Sequence, residues 1–209
     1  MTITHHIPEA LIASYAAGTL PYPFELVIAA HLSVCDTCRA ELESHDVLGG
    51  ALLDAAGDGV AVSDGLAAAL MARLDETPPP APVRQGIYPA PVAQALGGQP
   101  PRWRSLALGV KQAVLSDEKD GSVRLLSIPP GQAMPDHGHR GLELTLVLQG
   151  SFADETGHFG VGDVEVADED LEHTPVAGPG EACICLAATD ARLRFKGMMP
   201  RLAQPFFRI

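Results

Sequence analysis

Apolar side chains recur every three to four residues over the first third of the chain. Phe24, Val27, Ile28 and Leu32 repeat at helical spacing, and four windows lack the two-residue alternation of a strand: Glu9 to Ala17, Pro21 to about Arg39, Ala40 to Ala56 and Asp64 to Asp75. Ser63 is a suitable N-cap for the last of them. These windows predict a small helical bundle over residues 1–76. The segment from Glu76 to Pro101 holds eight prolines and cannot be one continuous element. Residues 77–90 are expected to be a linker with few contacts across it, and Pro91 to Leu96 one short helix. From Trp103 onward the pattern changes to short runs, SLALGV, SVRLLSI, ELTLVLQGSF, GDVEVA, ACICLAA and LRFKGM, separated by Gly, Pro and Asp turns. That spacing predicts a β-sandwich or barrel over 91–196, with a tail at 197–209, so the fold class is α+β with two domains.

Composition adds that the chain is globular, with 46% apolar residues and a mean hydropathy of +0.13 over 209 residues. No apolar run approaches the ~18 residues of a membrane span, and MTITHHIPEA lacks the basic start and apolar middle of a signal peptide. A cytoplasmic protein is expected. Four cysteines, two of them in Cys183-Ile184-Cys185, suit a reducing compartment better than a disulfide framework. The net charge of −12 is uneven: residues 1–76 carry eleven acids against Arg39 and Arg73, which places −9 there. Such a surface repels phosphates, weighs against direct nucleic-acid binding, and attracts a basic partner. Leu66, Leu70 and Leu74, with Met71 at the edge, form one helical face suited to the core or to such a partner.

The stretch HLSVCDTC concentrates borderline and soft donors. On a continuous helix Cys35 lies about 40° and Cys38 about 20° to either side of His31, so all three converge. A redox C-x-x-C is expected to open a helix after a strand, whereas this pair is expected at a helix end. One imidazole and two thiolates match tetrahedral zinc, which needs a fourth donor from elsewhere. His6, with His5 next to it, is the first choice, and His45 lies seven residues beyond the cysteines. A ligand from the N-terminus ties together a segment too small for much core of its own.

A second set occurs in GQAMPDHGHRGLELTLVLQG. On an extended strand His137, His139 and Glu143 share one face, while Leu142, Leu144, Leu146 and Leu148 take the other. Two imidazoles and a carboxylate make a half-site for a divalent metal, Zn²⁺ first and otherwise Fe, Mn or Ni.

Gly131, His137, His139, Glu143 and Gly150 stand at the intervals of the first conserved motif of the cupin superfamily, which the segment resembles. Around Gly162-Asp163 the second motif departs: its proline is missing, and Glu165 stands where the family histidine falls. The resemblance therefore points to His173 as fourth ligand. His31, Cys35 and Cys38 in turn resemble the His-x3-Cys-x2-Cys signature of zinc-binding anti-sigma factors, whose fourth ligand is an upstream histidine. Together the halves resemble the ChrR family of cytoplasmic zinc anti-sigma factors. The resemblance implies a helical domain that grips an extracytoplasmic-function sigma factor, in a 1:1 complex, and blocks its access to RNA polymerase. It implies a cupin that releases the partner under oxidative stress, from singlet oxygen or organic peroxide. The competing reading is a metal-dependent cupin dioxygenase or isomerase with an accessory zinc domain.

Overall fold

The computed structural model describes residues 2–57, 59, 61, 63, 65–74, 76–77, 81–135, 137–138, 141–169, 171–190 and 194–195. Five helices come first: α1 (Glu9–Ala16), α2 (Tyr22–Leu32), α3 (Asp36–Ala55), α4 (Leu66–Arg73) and α5 (Ala90–Ala95). The strands follow as β1 (Arg104–Ser105), β2 (Lys111–Glu118), β3 (Gly121–Ile128), β4 (His137–Gly138), β5 (Glu143–Gln149) and β6 (Ser151–Ala153), then β7 (His158–Gly160), β8 (Val164–Ala167), β9 (Glu172–His173), β10 (Val176–Ala177), β11 (Cys183–Thr189) and β12 (Arg194–Phe195). Prolines set three of the helix starts. Pro8, Pro21 and Pro89 stand at the N-caps of α1, α2 and α5, where a missing N–H costs nothing and an extended backbone is needed.

The expected helix from Pro21 to Arg39 is in fact two. The N–H groups of Val34 and Cys35 both bond the His31 carbonyl, each at 2.9 Å, and the Ser33 hydroxyl donates to the Ala30 carbonyl at 2.7 Å. The chain then turns through an extended Cys35, which becomes the N-cap of α3. The C-x-x-C pair thus opens a helix rather than ending one. The helix expected over Asp64 to Asp75 is shorter, spanning Leu66–Arg73 with Gly65 at its N-cap; Ser63 contributes only its carbonyl, to Leu66 N–H at 2.9 Å, and Asp64 and Asp75 lie outside the described residues.

Among the described residues all strand pairs are antiparallel. They form a six-stranded sheet, β1-β2-β3-β11-β5-β8, and two three-stranded sheets, β10-β6-β7 and β12-β4-β9. The predicted strand in SLALGV is mostly a turn, with Leu108 and Gly109 both at positive φ. Strand β2 replaces it: its apolar alternation is interrupted by a bulge between Val114 and Ser116, which hides the strand from a period-two reading.

The leucine face of β5 is buried as expected, and what covers it is α2. Leu144 and Leu146 are fully buried in one cluster with Val123, Leu125, Leu186 and Ala188 of the sheet and Phe24, Val27 and Ile28 of α2. The opposite sheet face closes a second core around Val147, Phe152, Phe159, Cys183 and Cys185. The helical half and the barrel are therefore joined by a continuous core, in place of the few contacts expected across the linker. Leu146→Ala should lower stability by about 2–5 kcal/mol, because rigid strands on either side cannot collapse onto the cavity. Chemical denaturation reads this directly, and an unchanged midpoint would contradict the placement of α2 on the sheet.

Candidate metal centres

His6, His31, Cys35 and Cys38 come together, each offering one ligand atom within 4.8 Å of the others. Three separate segments deliver them: the irregular strand of chain before α1, the last turn of α2, and the start of α3. His31 Nε2 lies 3.2 Å from Cys38 Sγ, and His6 Nδ1 lies 3.3 Å from Cys35 Sγ and 3.6 Å from Cys38 Sγ. Tetrahedral zinc, with bonds of about 2.3 Å to sulfur and about 2 Å to nitrogen, spaces such donors about 3.5 Å apart. The donor set fits that ion.

The electrostatics also suit a cation. His31, Cys35 and Cys38 are all buried. Burial holds the His31 imidazole below its ordinary pKa, hence neutral as a ligand must be. Burial likewise pushes the Cys38 thiol up to about 11, so a thiolate persists there only with a positive charge beside it. Cys35 is the N-cap of α3 and Cys38 lies in its first turn, at the positive end of the helix dipole. A bound zinc ion would supply that positive charge and would tie the three segments together. His5 turns away: its ring packs on Phe159 at a centroid distance of 4.3 Å, and its Nδ1 lies 3.6 Å from Asp163 Oδ2. His45 is also elsewhere, 3.7 Å from Glu41 on the same helix.

In the barrel, His139 lies outside the described residues, as does the side chain of His137. The His137 backbone pairs in register with His173, on β4 and β9. Glu143 stands on the inward face of β5, its carboxylate accepting from Thr145 Oγ1 at 3.1 Å. His173 is fully buried, with its Nδ1 2.6 Å from Asp154 Oδ2 and 3.1 Å from Glu165 Oε1. These three form the cluster of potential ligands found among the described residues of the barrel. Burial by itself would lower the His173 pKa, but the Glu165 and Asp154 carboxylates outweigh it and push it up to about 9. Burial raises Glu165 to about 7, while hydrogen bonds from Glu165, Thr156 and His173 hold Asp154 low against its own burial. Nδ1 is engaged by two carboxylates, an arrangement common behind metal-bound histidines. Asp154 was not foreseeable: in ADETG it reads as a turn residue, and only the fold brings it to His173.

Residues 99–192 match the ChrR cupin-like domain family. Over its full length the chain is 56% identical to the anti-sigma-E factor ChrR of Cereibacter sphaeroides, with 100% of both proteins aligned. The chain belongs to the ChrR family of anti-sigma factors. A solved ChrR chain, in the crystal structure of Rhodobacter sphaeroides SigE in complex with the anti-sigma ChrR, is 54% identical and superposes with a TM-score of 0.79, covering 90% of this chain and 100% of that one. The helix-plus-cupin architecture expected from the sequence is thus the ChrR architecture, and kinship lies with a regulator rather than with the metal-dependent enzymes that a cupin motif alone allows. No helix among the described residues is long and apolar enough to cross a membrane.

Proposed function

We propose that this protein is a cytoplasmic anti-sigma factor that binds an extracytoplasmic-function sigma factor one to one through its helical half and keeps it from RNA polymerase. The observation that carries this reading is an apolar surface on α3 and α4 that the rest of the described chain leaves uncovered. Val47, Leu48, Leu52 and Leu53 on α3 and Leu70 and Met71 on α4 are each more than half exposed. Six large apolar side chains exposed on two helices exceed what a lone soluble domain usually shows to water, and helices with such exposed side chains dock into grooves. The −9 charge of residues 1–76 surrounds that surface with a field that favours a basic partner. Titration of the purified protein into a sigma factor of this class, followed by size exclusion and run-off transcription, tests it. A 1:1 complex that silences transcription is expected, and free sigma activity at saturating protein would refute the reading.

In this proposal His6, His31, Cys35 and Cys38 hold structural zinc. His137, His139, Glu143 and His173 hold a second divalent ion, Zn²⁺ ahead of Fe, Mn or Ni, in a cupin that releases the partner on oxidative stress. Residues 1–76, 77–90, 91–196 and 197–209 then serve as grip, connector, sensor and tail. His139→Ala should leave inhibition intact but abolish release, so a target promoter stays silent under singlet oxygen or organic peroxide. Induction equal to wild type in a reporter strain would reject the cupin metal as the sensor.

A further inference from the structure

We infer that the β7–β8 turn of the barrel is the outer shell of the zinc site in the helical half, with the Gly162 carbonyl setting the ring of His31 and Asp163 acting as a positioning residue for His6. The inference rests on the reading of His6, His31, Cys35 and Cys38 as zinc ligands. His6 is carried by a segment with no helix or strand of its own, and ordering such a segment costs backbone entropy, so something must hold it. Asp163 does so. Its Oδ1 accepts the N–H groups of Thr4 at 2.7 Å and His5 at 2.9 Å, and its Oδ2 accepts Gly160 N–H at 2.8 Å. Next to it, Val164 N–H donates to the His5 carbonyl at 3.2 Å, so the strap is bonded immediately before His6.

Asp163 is only 5% exposed, and a buried carboxylate needs these donors. Burial alone would raise its pKa, yet the backbone N–H groups bring it below the ordinary value. Gly162, at a φ of +93°, lets the strap close, because a Cβ there would meet the Ile3 side chain at 2.8 Å. The Gly162 carbonyl lies 2.9 Å from His31 Nδ1, and a carbonyl accepts only from a protonated nitrogen. That contact assigns the proton to Nδ1 and the lone pair to Nε2, the atom that faces Cys38 Sγ. Strand β8, which starts at Val164 directly after this turn, carries Glu165, whose carboxylate holds His173 inside the barrel. A shift of β8 is therefore felt at both sites.

The test uses the full-length protein. Asp163→Ala should weaken zinc binding at the cysteine site about 10–100-fold in competition with a chromophoric chelator. The thiolate-to-cobalt absorption of the Co²⁺-loaded variant should shift as the His6 nitrogen is lost. Asp163→Asn, which keeps an oxygen for the Thr4 and His5 N–H groups but turns an NH2 towards Gly160 N–H, should restore part of the affinity. Wild-type affinity and an unchanged cobalt spectrum in Asp163→Ala would overturn the inference. The ¹⁵N shifts of the His31 ring in the unmodified zinc protein need no variant: Nδ1 should be the protonated nitrogen, and the opposite tautomer would overturn the role of Gly162. A wild-type protein lacking any zinc that Cys35→Ala removes would instead overturn the zinc reading itself.

Discussion

Cys38→Ala should cost the protein one equivalent of zinc and the arrangement of α1 and α3 around the end of α2. The four donors come from three segments, and α1 and α3 bury little beside them: Ile12 is the fully buried residue of α1 and Cys38 that of α3, with Leu11, Tyr15 and Leu42 only partly buried against the common core. Structural zinc contributes apparent free energies of about 10–16 kcal/mol in small zinc peptides, comparable to the whole stability of a domain. Helix α2 should survive, because Phe24, Val27 and Ile28 are buried in the cluster it shares with the sheet. The expected signature is thus a partial loss of helical signal with an intact barrel, and Cys35→Ala should repeat it. Metal analysis and far-ultraviolet dichroism decide the matter. A full zinc complement with a normal helical signal in either variant would remove these cysteines from the site.

Leu52→Asp combined with Leu70→Asp should abolish partner binding without unfolding the protein. Both side chains are exposed, at 65% and 58%, so neither change removes buried packing. At the centre of an interface each is worth about 2 kcal/mol or more, and the pair together about a thousand-fold in affinity. The added acids should, if anything, attract a basic partner. A loss of binding would therefore report on apolar contact rather than charge. Retained affinity in a calorimetric titration would move the interface off α3 and α4.

Much of the architecture was legible because it follows from short-range periodicity. The change from three-to-four-residue spacing to short strand runs after Trp103 separates helices from barrel. The parity of Leu144 and Leu146 against Glu143 and Thr145 assigns the two faces of β5, since successive strand residues must point oppositely. Where local pattern is weak, the reading failed. The turn at Ser33 and Val34 contains no Gly or Pro, so nothing in the sequence marks the end of α2. In β2 the bulge at Val114 to Ser116 shifts the alternation in mid-strand.

What the sequence determined by itself is chemistry carried by neighbours in the chain: the histidine and cysteines of HLSVCDTC, the interval from His137 to Glu143, and the acidity of residues 1–76. What only the tertiary structure decided is which distant groups meet them. His6 rather than His5 reaches the cysteines because Asp163, 158 residues away from His5, fastens the strap in one register. The His31 ring is oriented by a carbonyl 131 residues further on, and His173 by an aspartate 19 residues before it. The leucine face of β5 was predictable as a packing face, but not that α2 would cover it. Local propensity acts within a turn or two of chain. Contacts of this separation exist only once the packing of helix on sheet has repaid the entropy of closing the loops between them.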